Sequence, residues 1–404
     1  MKLRTRDIIE QIRHGNIPDG YKKTKVGILP VDWEVHMLRD CLQRIERPVE
    51  VEPNELYTQI GIRSHGKGLF YKEPVTGEAL GNKSVFWIEP DCFIVNIVFA
   101  WEQAIGKTTQ SEVGMVGSHR FPMYRPVNDR VDINYLVYYF LTKRGTNILE
   151  AASPGGAGRN KTLGQNRFLK SKIILPSIEE QRKIAAILMT QDKVIELKEK
   201  RLTEKQRQKK YLLQQLLTRQ KRLPGFTSEV EETNIKAISI YSVSSISQTT
   251  LEKYEGKRLY PVFNANSIAG YVDFFENEYP YISIIKDGAG IGRVRLCEAK
   301  SSTIGTMGCI HARKGISIVF LYYLLEQVDF RKYSNGSTIP HLYYKDYSCE
   351  KVWVPDIQEQ TAIAEVLSTA DREIDLHRQN IEQEKQKKKA LMQLLLTGIV
   401  RVKT

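Results

Sequence analysis

Apolar residues recur at a heptad-like spacing in two long segments, one in the middle of the chain and one at its end. This spacing is typical of an amphipathic helix that packs against another helix. A helix of about 40 residues spans roughly 60 Å. The apolar stripes consist of Ile184, Leu188, Ile195, Leu202, Leu212 and Leu216 in the first segment, and of Ile363, Leu367, Ile374, Ile381, Leu391 and Leu395 in the second.

The two segments are copies of one another. Residues 175–218 and 354–397 align without gaps at an offset of 179, and 18 of the 44 aligned positions are identical. A repeat of this length indicates a duplicated unit of one domain and one helix. Each copy begins with a proline, a residue that can cap a helix (Ser177 or Asp356) and an acidic first turn. Helix breakers follow both copies, in residues 219–225 and at Gly398.

Polar residues interrupt both stripes, which disfavours a strong homodimeric zipper and favours pairing of the two helices with each other. The interrupting positions include Gln191, Lys198 and Lys205 in the first copy, and His377 and Glu384 in the second. Domain termini often lie close together. If those of the second domain do, the two helices must run antiparallel.

The remaining segments are rich in short alternating runs, such as VFWIEPDCFIVNIVF and YISIIKDGAGIGRVRL, which predict strands and turns. The predicted fold is α+β, with two mixed α/β domains joined by two long antiparallel helices that form a coiled-coil spacer with pseudo-twofold symmetry. The predicted boundaries are 1–24 for an N-terminal helical extension, 25–175 for the first domain, 176–222 for the first helix, 223–353 for the second domain and 354–404 for the second helix.

Composition narrows the possible functions. The 404 residues include 60 Lys and Arg against 47 Asp and Glu, a formal net charge of +13 that favours a polyanionic partner such as nucleic acid. The five cysteines are scattered without a CxxC pair, and no run approaches the ~18 apolar residues of a membrane span. We therefore expect a reduced cytosolic protein without a metal site.

Two glycine-containing motifs resemble nucleotide-binding loops. KDGAGIGRV, residues 286–294, follows a predicted strand, but residues 294–297 continue as a strand, whereas a nucleotide loop would open a helix. A hairpin, or a turn that brings the backbone close to DNA, fits better. AIGKT, residues 104–108, lacks the upstream glycine of a P-loop because Trp101 stands there. Since the adenine-methyltransferase tetrapeptide is also missing from the sequence, we expect the chain alone to be catalytically inert.

The motifs at the two ends of each helix resemble those of a known family. The openings LPSIEEQRKIAAIL and VPDIQEQTAIAEVL, the closings LLQQLLT and LMQLLLT, and the lead-in KKTKVGILPVDWEVHML are similar to the DNA-specificity subunits of type I restriction-modification systems. The resemblance covers nearly the whole chain from about Gly20, in the order target-recognition domain, conserved helix, target-recognition domain, conserved helix.

This resemblance implies a non-catalytic subunit of the prokaryotic cytosol. Each target-recognition domain would recognise one half of a split DNA sequence in the major groove, and the helices would set the gap between the halves. The chain would hold two modification (methyltransferase) subunits, which use S-adenosylmethionine, while restriction subunits would add translocation and cleavage that use ATP and Mg. Because the two domains differ in sequence, the target should be asymmetric.

Candidate DNA contacts follow from the side chains that recognise bases and phosphates, namely Arg, Lys, Asn, Gln, Ser and Thr. In the first domain we select the glycine-flanked loop 62–68, followed by Asn96, Trp101 and the basic segment 159–162. The predicted contacts are Arg63, Ser64, His65, Lys67, Asn96, Trp101, Arg159, Asn160 and Lys161 in the first domain, and Asn264, Asn266, Lys286, Arg293, Thr338 and His341 in the second.

The helices supply two further predictions. The family resemblance implies that their first turns bind the partner subunits, through Glu180, Gln181, Ile184, Leu188, Glu359, Gln360, Ile363 and Leu367. Residues 177–222 contain 13 Lys and Arg against 6 Asp and Glu, whereas residues 356–403 contain 8 of each. We therefore expect the first helix, including Lys209 and Lys210, to lie nearer the DNA backbone.

Two other functions remain possible at this point. One is a self-contained DNA methyltransferase or nuclease, which the missing sequence motifs disfavour. The other is a coiled-coil repressor, which the interrupted stripes and the two unlike domains disfavour. A repressor would dimerise, whereas a specificity subunit would remain a single copy bound to its partner subunits.

Overall fold

The computed structural model describes residues 5–24, 27–81, 83–155, 161–288, 290–336 and 340–402. The chain forms two compact units. Unit 1 comprises Met1–Leu197 and Ile381–Thr404, and unit 2 comprises Lys198–Asn380. Each unit therefore contains one globular domain and a part of both long helices.

Unit 1 combines short helices with many short strands. Its helices are α1 (Thr5–Arg13), α2 (Gly77–Leu80), α3 (Ile133–Phe140), α4 (Lys143–Ala151), α5 (Gln165–Lys170) and the beginning of α6 (Ile178–Leu217), with 3-10 turns at Leu38–Asp40, Ala100–Glu102 and Gln110–Glu112. Its strands are β1 (Tyr21–Thr24), β2 (Gly27–Pro30), β3 (Glu34–Met37), β4 (Leu42–Ile45), β5 (Leu56–Tyr57), β6 (Ile60–Ile62), β7 (Leu69–Tyr71), β8 (Val75–Thr76), β9 (Val85–Trp87), β10 (Phe93–Val95), β11 (Ile105–Lys107), β12 (Val116–Ser118), β13 (Met123–Pro126) and β14 (Lys172–Leu175).

The largest sheet of unit 1 is antiparallel, in the order β11-β10-β13-β4. Strand pairs β1-β2, β3-β14, β5-β8, β6-β7 and β9-β12 surround it. Its core contains stacked and tilted rings of Phe93, Phe140 and Phe168. Ile184 of α6 and Leu395 of the last helix are buried in the same core, so the helix ends are part of the domain's hydrophobic interior.

Unit 2 has a different set of elements. Its helices are α7 (Ile235–Ile238), α8 (Gln248–Glu252), α9 (Ile318–Gln327), α10 (Tyr344–Tyr347) and the beginning of α11 (Ile357–Leu395), with a 3-10 turn at Phe330–Tyr333. Its strands are β15 (Glu231–Asn234), β16 (Ser239–Val243), β17 (Tyr260–Phe263), β18 (Ile268–Val272), β19 (Tyr281–Ile285), β20 (Val294–Cys297), β21 (Ser302–Thr303), β22 (Met307–Ala312), β23 (Ser334–Asn335), β24 (His341–Leu342) and β25 (Lys351–Val354).

Unit 2 contains an antiparallel sheet in the order β16-β22-β19-β20 and a smaller sheet in the order β18-β17-β21. Strands β19 and β20 form the hairpin predicted for KDGAGIGRV. Gly292 in its turn has φ of 78°, and a Cβ there would lie 2.3 Å from Phe330. The glycine is required because the turn combines a left-handed backbone with close packing.

In each domain, a strand near its beginning pairs with a strand at its end, so the two ends of the domain lie side by side. In unit 1, Glu34 of β3 lies opposite Leu175 of β14, and α6 begins three residues later. In unit 2, Glu231 of β15 lies opposite Val354 of β25, which precedes α11. The ends of the second domain therefore lie close together, which is the condition under which antiparallel helices were expected.

The two long helices are antiparallel within each unit. In unit 1, Gln191 donates from Nε2 to Oε2 of Glu384 at 2.7 Å, while Glu180, further towards the start of α6, bonds Arg401 beyond the end of α11. In unit 2, Nζ of Lys205 lies 2.7 Å from Glu373. Lys209, one turn further along α6, pairs with Asp371, which lies earlier in α11.

The predicted helix boundaries need small corrections. Ser177 and Asp356 cap the helices as predicted, through bonds from the amides of Glu180 and Glu359. The regular helices end at Leu217 and Leu395, slightly before the predicted boundaries, and a left-handed residue, Arg219 or Gly398, follows each of them. The N-terminal extension is not purely helical, because residues 21–24 form β1.

Candidate nucleic-acid interface and helix framework

The repeat extends beyond the aligned helices to an arginine that follows each of them. Arg401 follows α11 and makes two hydrogen bonds of 2.8 Å to Glu180, whose side chain is 1% exposed. Arg222 follows α6 and bonds Glu359, whose side chain is 3% exposed. Both pairs are related by the offset of 179. Each unit therefore joins the start of one helix to the end of the other by an ion pair whose carboxylate is buried.

The glutamine next to each buried glutamate joins the helix start to its own domain. Nε2 of Gln181 donates to the carbonyl oxygens of Arg130 and Pro176, and its Oε1 accepts from the amide of Asp132. Gln360 repeats the arrangement in unit 2, with bonds to the carbonyls of Gly315 and Pro355 and from the amide of Ser317. These side chains orient each domain on its helix.

A lysine, an aspartate and a tyrosine form a second repeated contact. In unit 1, Lys388 pairs with Asp192, which also accepts a 2.6 Å bond from Oη of Tyr138. In unit 2, Lys209 lies 2.8 Å from Asp371, which accepts from Tyr323. Burial, then the aspartate, raise the pKa of Tyr138, so that the hydroxyl stays a donor.

Unit 2 adds a second carboxylate to this cluster. Glu326 binds Nζ of Lys209 at 2.8 Å. Lys209 is 9% exposed and also lies over the ring of Tyr323. Its prediction as a DNA-facing cation is therefore wrong, because its charge is already neutralised inside unit 2. Lys210 is exposed.

The predicted partner-binding residues have an internal role. All eight are at most 3% exposed in the chain. They are Glu180, Gln181, Ile184 and Leu188 in unit 1 and Glu359, Gln360, Ile363 and Leu367 in unit 2. The polar ones bind their own domain and the opposite helix, and the apolar ones belong to the cores. As folded, they offer no surface to another subunit, so a partner would need exposed positions of the same helices.

The predicted loop 62–68 of unit 1 is a turn between β6 and β7. Nη1 of Arg63 donates to the carbonyl of Leu69, and its guanidinium lies 4.9 Å from the centre of the Phe70 ring. His65 has φ of 61° and lies in an exposed turn with Lys67. The guanidinium is thus held in place while the turn stays accessible.

Ser64 and Asn96 line one cavity of about 400 Å³. Asn96 also lines an adjoining cavity of about 590 Å³. Its Oδ1 accepts from the amide of Val98, which leaves its amide nitrogen to donate. Ser64 donates to Glu102. Lys72 lines both cavities, so the predicted residues lie beside a cation that the sequence interpretation missed.

Trp101 and Lys161 are neighbours although 60 residues separate them in the chain. Nζ of Lys161 lies 5.3 Å from the ring centre of Trp101. The indole nitrogen donates to the carbonyl of Val98. The ring therefore serves first to position this segment. Arg159, Asn160 and Thr338 lie outside the described residues.

In unit 2, three predicted residues lie together. Asn264, Asn266 and Arg293 line a cavity of about 270 Å³. Nη2 of Arg293 donates to Oδ1 of Asn266 at 3.0 Å. Arg295, which was missed, lines the same cavity and lies 4.6 Å from the centre of the Phe263 ring. Its position two residues after Arg293, which directly precedes β20, could have indicated that both point to the same face.

Lys286 and His341 form a separate cluster around Asp287. The carboxylate lies 2.7 Å from Nζ of Lys286 and 2.8 Å from Nδ1 of His341. Partial burial acts to raise the pKa of Asp287, but the hydrogen bonds from its two neighbours outweigh burial and lower the pKa. The cluster joins the β19-β20 turn to β24, so these two residues have a structural role alongside any contact with DNA.

The missed cations of unit 1 come from separate parts of the chain. Lys72 follows β7, Lys83 precedes β9, and His119 and Arg120 follow β12. No local pattern unites them, because they flank two separate strand pairs, β6-β7 and β9-β12, which a bridge between Gln59 and Val116 brings together. The larger cavity is therefore lined by several cationic or donor groups.

In the part of the chain that the structure describes, His, Cys, Asp and Glu side chains form no group of three or more that could hold a metal ion. Across the same stretches, no helix combines the length and apolarity needed to cross a bilayer.

Comparisons with known proteins agree with the architecture. Residues 89–207 and 227–386 match the type I restriction modification DNA specificity domain. The putative type I restriction enzyme MjaX specificity subunit of Methanocaldococcus jannaschii is 26% identical over 433 aligned residues, covering 96% of this chain and 98% of that protein. The MjaVIII specificity subunit of the same organism is 24% identical, covering 93% and 94%.

Solved structures show the same fold. The S subunit of a type I restriction-modification system from M. genitalium has a TM-score of 0.58 at 16% identity, covering 92% of this chain and 97% of that chain. A chain from a structure on complex assembly and conformational transition of the type I R-M system has a TM-score of 0.61 at 14% identity, covering 92% and 99%. The family model matches more than half of the residues of the present chain. The chain therefore belongs to the family of type I restriction modification DNA specificity domains.

Proposed function

We propose that this chain is the DNA sequence-specificity subunit of a type I restriction-modification enzyme. It recognises an asymmetric target in two parts, one through each domain, and it holds two methyltransferase subunits together with the restriction subunits. Catalysis, with S-adenosylmethionine, ATP and Mg, belongs to those partner subunits. The chain itself supplies recognition and assembly, in the prokaryotic cytosol.

The observation that carries the proposal is the contrast between repeated helix contacts and unlike domain surfaces. The Glu180–Arg401 and Glu359–Arg222 pairs are equivalent, so both domains are mounted on their helices in the same way. Both cavities contain Asn, Ser and Arg, but the cavity of unit 1 adds Gln59, Lys72 and His119, which have no counterpart in the cavity of unit 2. Two domains that are attached to their helices in the same way but carry different surfaces suit recognition of two different half-sites. The excess of positive charge suits DNA.

A selection experiment tests this function. The full chain, co-purified with a modification subunit that assembles with it, is used to capture duplexes from a random pool. We expect a bipartite motif with a fixed gap and two unlike halves. Arg63→Ala should reduce specific binding by ~1 to 3 kcal/mol and relax one position in one half only, if Arg63 contacts a base. Capture of no motif, or of a palindrome, would contradict the proposal.

The contact with two modification subunits is assigned to exposed apolar residues of the helices. Leu197 is 53% exposed and Leu376 is 64% exposed. They are equivalent in the repeat, being separated by the same offset of 179. Exposed leucines at equivalent positions suit two equivalent contacts with two copies of one partner.

Substitution of these leucines tests the assembly. Leu197→Asp and Leu376→Asp should each reduce the mass of the assembled complex by one modification subunit, because a charge in an apolar contact is costly. Thr203→Asp is a matched control, since Thr203 is exposed on the same helix as Leu197. Native mass spectrometry gives the stoichiometry. A complex that keeps both modification subunits in both leucine variants would exclude these contacts.

A further inference from the structure

The cavity of unit 2 that contains Arg293 holds a strong excess of hydrogen-bond donors. Arg293 and Arg295 together offer ten N–H groups and no acceptor. Among the described residues, no carboxylate lines this cavity. Its ligand should therefore present acceptors.

The orientation of the two asparagines adds to the excess of donors. Oδ1 of Asn264 accepts the backbone amides of both Asn266 and Ser267, at 2.9 and 2.8 Å. Both lone pairs of that oxygen are thereby used, so Asn264 can offer a ligand only its Nδ2 donors. The orientation of Asn266 is fixed as well, because a guanidinium can only donate and Nη2 of Arg293 bonds its oxygen.

The bond to Asn266 also orients Arg293 before any ligand arrives. Arg293 is an exposed side chain one residue before β20 and would otherwise sample many rotamers. Holding one edge of the guanidinium leaves another edge for a second, bidentate partner. Arg295 is similarly restricted by the Phe263 ring.

Guanine matches this pattern among the base edges of the major groove. It presents two acceptors, N7 and O6, whereas adenine pairs an acceptor with a donor, thymine an acceptor with a methyl group, and cytosine presents a donor. Ile285, Val294 and Met307 form apolar walls, which suit a dehydrated base edge better than a hydrated phosphate. We propose that unit 2 recognises a guanine of its half-site through Arg293, held in position by Asn266. This inference rests on the proposed function.

Three variants of the assembled complex, captured on random duplexes, test the assignment. In wild type, we expect a G·C pair in the half-site of unit 2. Arg293→Gln should reduce the preference for guanine at one position by roughly 10- to 100-fold. Adenine can become the preferred base there, since a carboxamide matches N7 and N6 of adenine. Arg293→Lys keeps the charge but loses the two parallel donors of the guanidinium. It should therefore weaken the preference for guanine at this position and leave the other positions of the motif unchanged.

Arg378→Gln is the matched control, because it removes the same charge from unit 2 at an arginine that bonds Asp375 on α11. It should leave the motif unchanged. A uniform loss across all sequences in Arg293→Gln would identify a phosphate anchor and overturn the proposal. An unchanged motif, or a wild-type motif without a G·C pair, would overturn it equally. Failure of wild type to select any motif would instead contradict the proposed function, so the two failures are distinct.

Discussion

Units 1 and 2 share their helix contacts but differ in almost everything attached to them. Glu180, Gln181 and Asp192 in unit 1 have equivalents with the same bonds in unit 2. The sheets differ in strand order, and the cavities differ in their lining. The ion pairs of the two buried glutamates therefore belong to the shared framework, whereas cavity-lining residues such as Asn96 and Arg293 lie outside the regular strands, where substitution costs little stability.

The shared contacts are not identical, and the differences can be tested. Arg401 bonds Asp32 in addition to Glu180, whereas Arg222 bonds the carbonyl of Ser228. Lys209 has two carboxylate partners where Lys388 has Asp192. Unit 1 thus adds a carboxylate to the arginine contact, and unit 2 adds a carboxylate to the lysine contact.

The largest effect is expected from loss of the arginine that neutralises a buried glutamate. Arg401→Met should destabilise unit 1 by about 3 kcal/mol, because the carboxylate of Glu180 would remain buried without its partner. Arg222→Met should act on unit 2 in the same direction. Urea unfolding of the full chain measures both. The double variant Arg401→Met with Glu180→Gln should recover part of the loss, and no recovery would show that the charge is not the cause.

Lysine substitution should separate the two Lys-Asp-Tyr clusters. Lys209→Met should cost about 2 kcal/mol, since Glu326 and Asp371 would face each other without a cation. Lys388→Met should cost less, because only Asp192 loses its partner. The exposed Lys210 provides the control, as Lys210→Met should be near neutral. Equal losses for Lys209 and Lys388 would contradict the importance of the second carboxylate.

The residues after the helices offer a smaller contrast. Gly398 and Arg219 are equivalent positions, and both are left-handed, with φ of 74° and 62°. Gly398→Ala should cost about 1 to 2 kcal/mol, because a Cβ would add left-handed strain and meet Pro30 at 2.7 Å. Arg219→Ala should cost less, since arginine already tolerates the conformation and loses only its contact with Trp353. Thermal unfolding ranks the two, and the reverse order would refute the argument.

The smallest expected effect concerns pH. The pKa of Asp287 is lowered in the folded chain, so its ionised form stabilises unit 2 above its unfolded pKa of about 4, and this contribution is lost as pH falls through the lower folded value. Asp287→Asn should reduce stability at pH 7 by less than about 1 kcal/mol, given the partial exposure of the pair. The difference from wild type should shrink towards pH 3. A difference independent of pH would assign it to lost packing.

The helix framework was predictable because its pattern is local and repeated. The apolar stripe from Ile184 to Leu216 predicted the first long helix, and the repeat predicted the second long helix that pairs with it. Arg222 and Arg401 were missed because they lie outside the aligned segments, although the same offset relates them. The cavities were predicted only in part. Lys72 and Arg120 converge because a bridge between Gln59 and Val116 joins segments that are distant in the chain, which no local spacing encodes.

Methylation mapping in cells shows whether this chain selects a bipartite DNA target. Genomes of a host carrying the modification subunit are compared with and without this chain. We expect methylation of one bipartite motif, with two unlike halves and a fixed gap, only when the chain is present. Methylation that is independent of the chain, or that falls on a continuous palindrome, would contradict it.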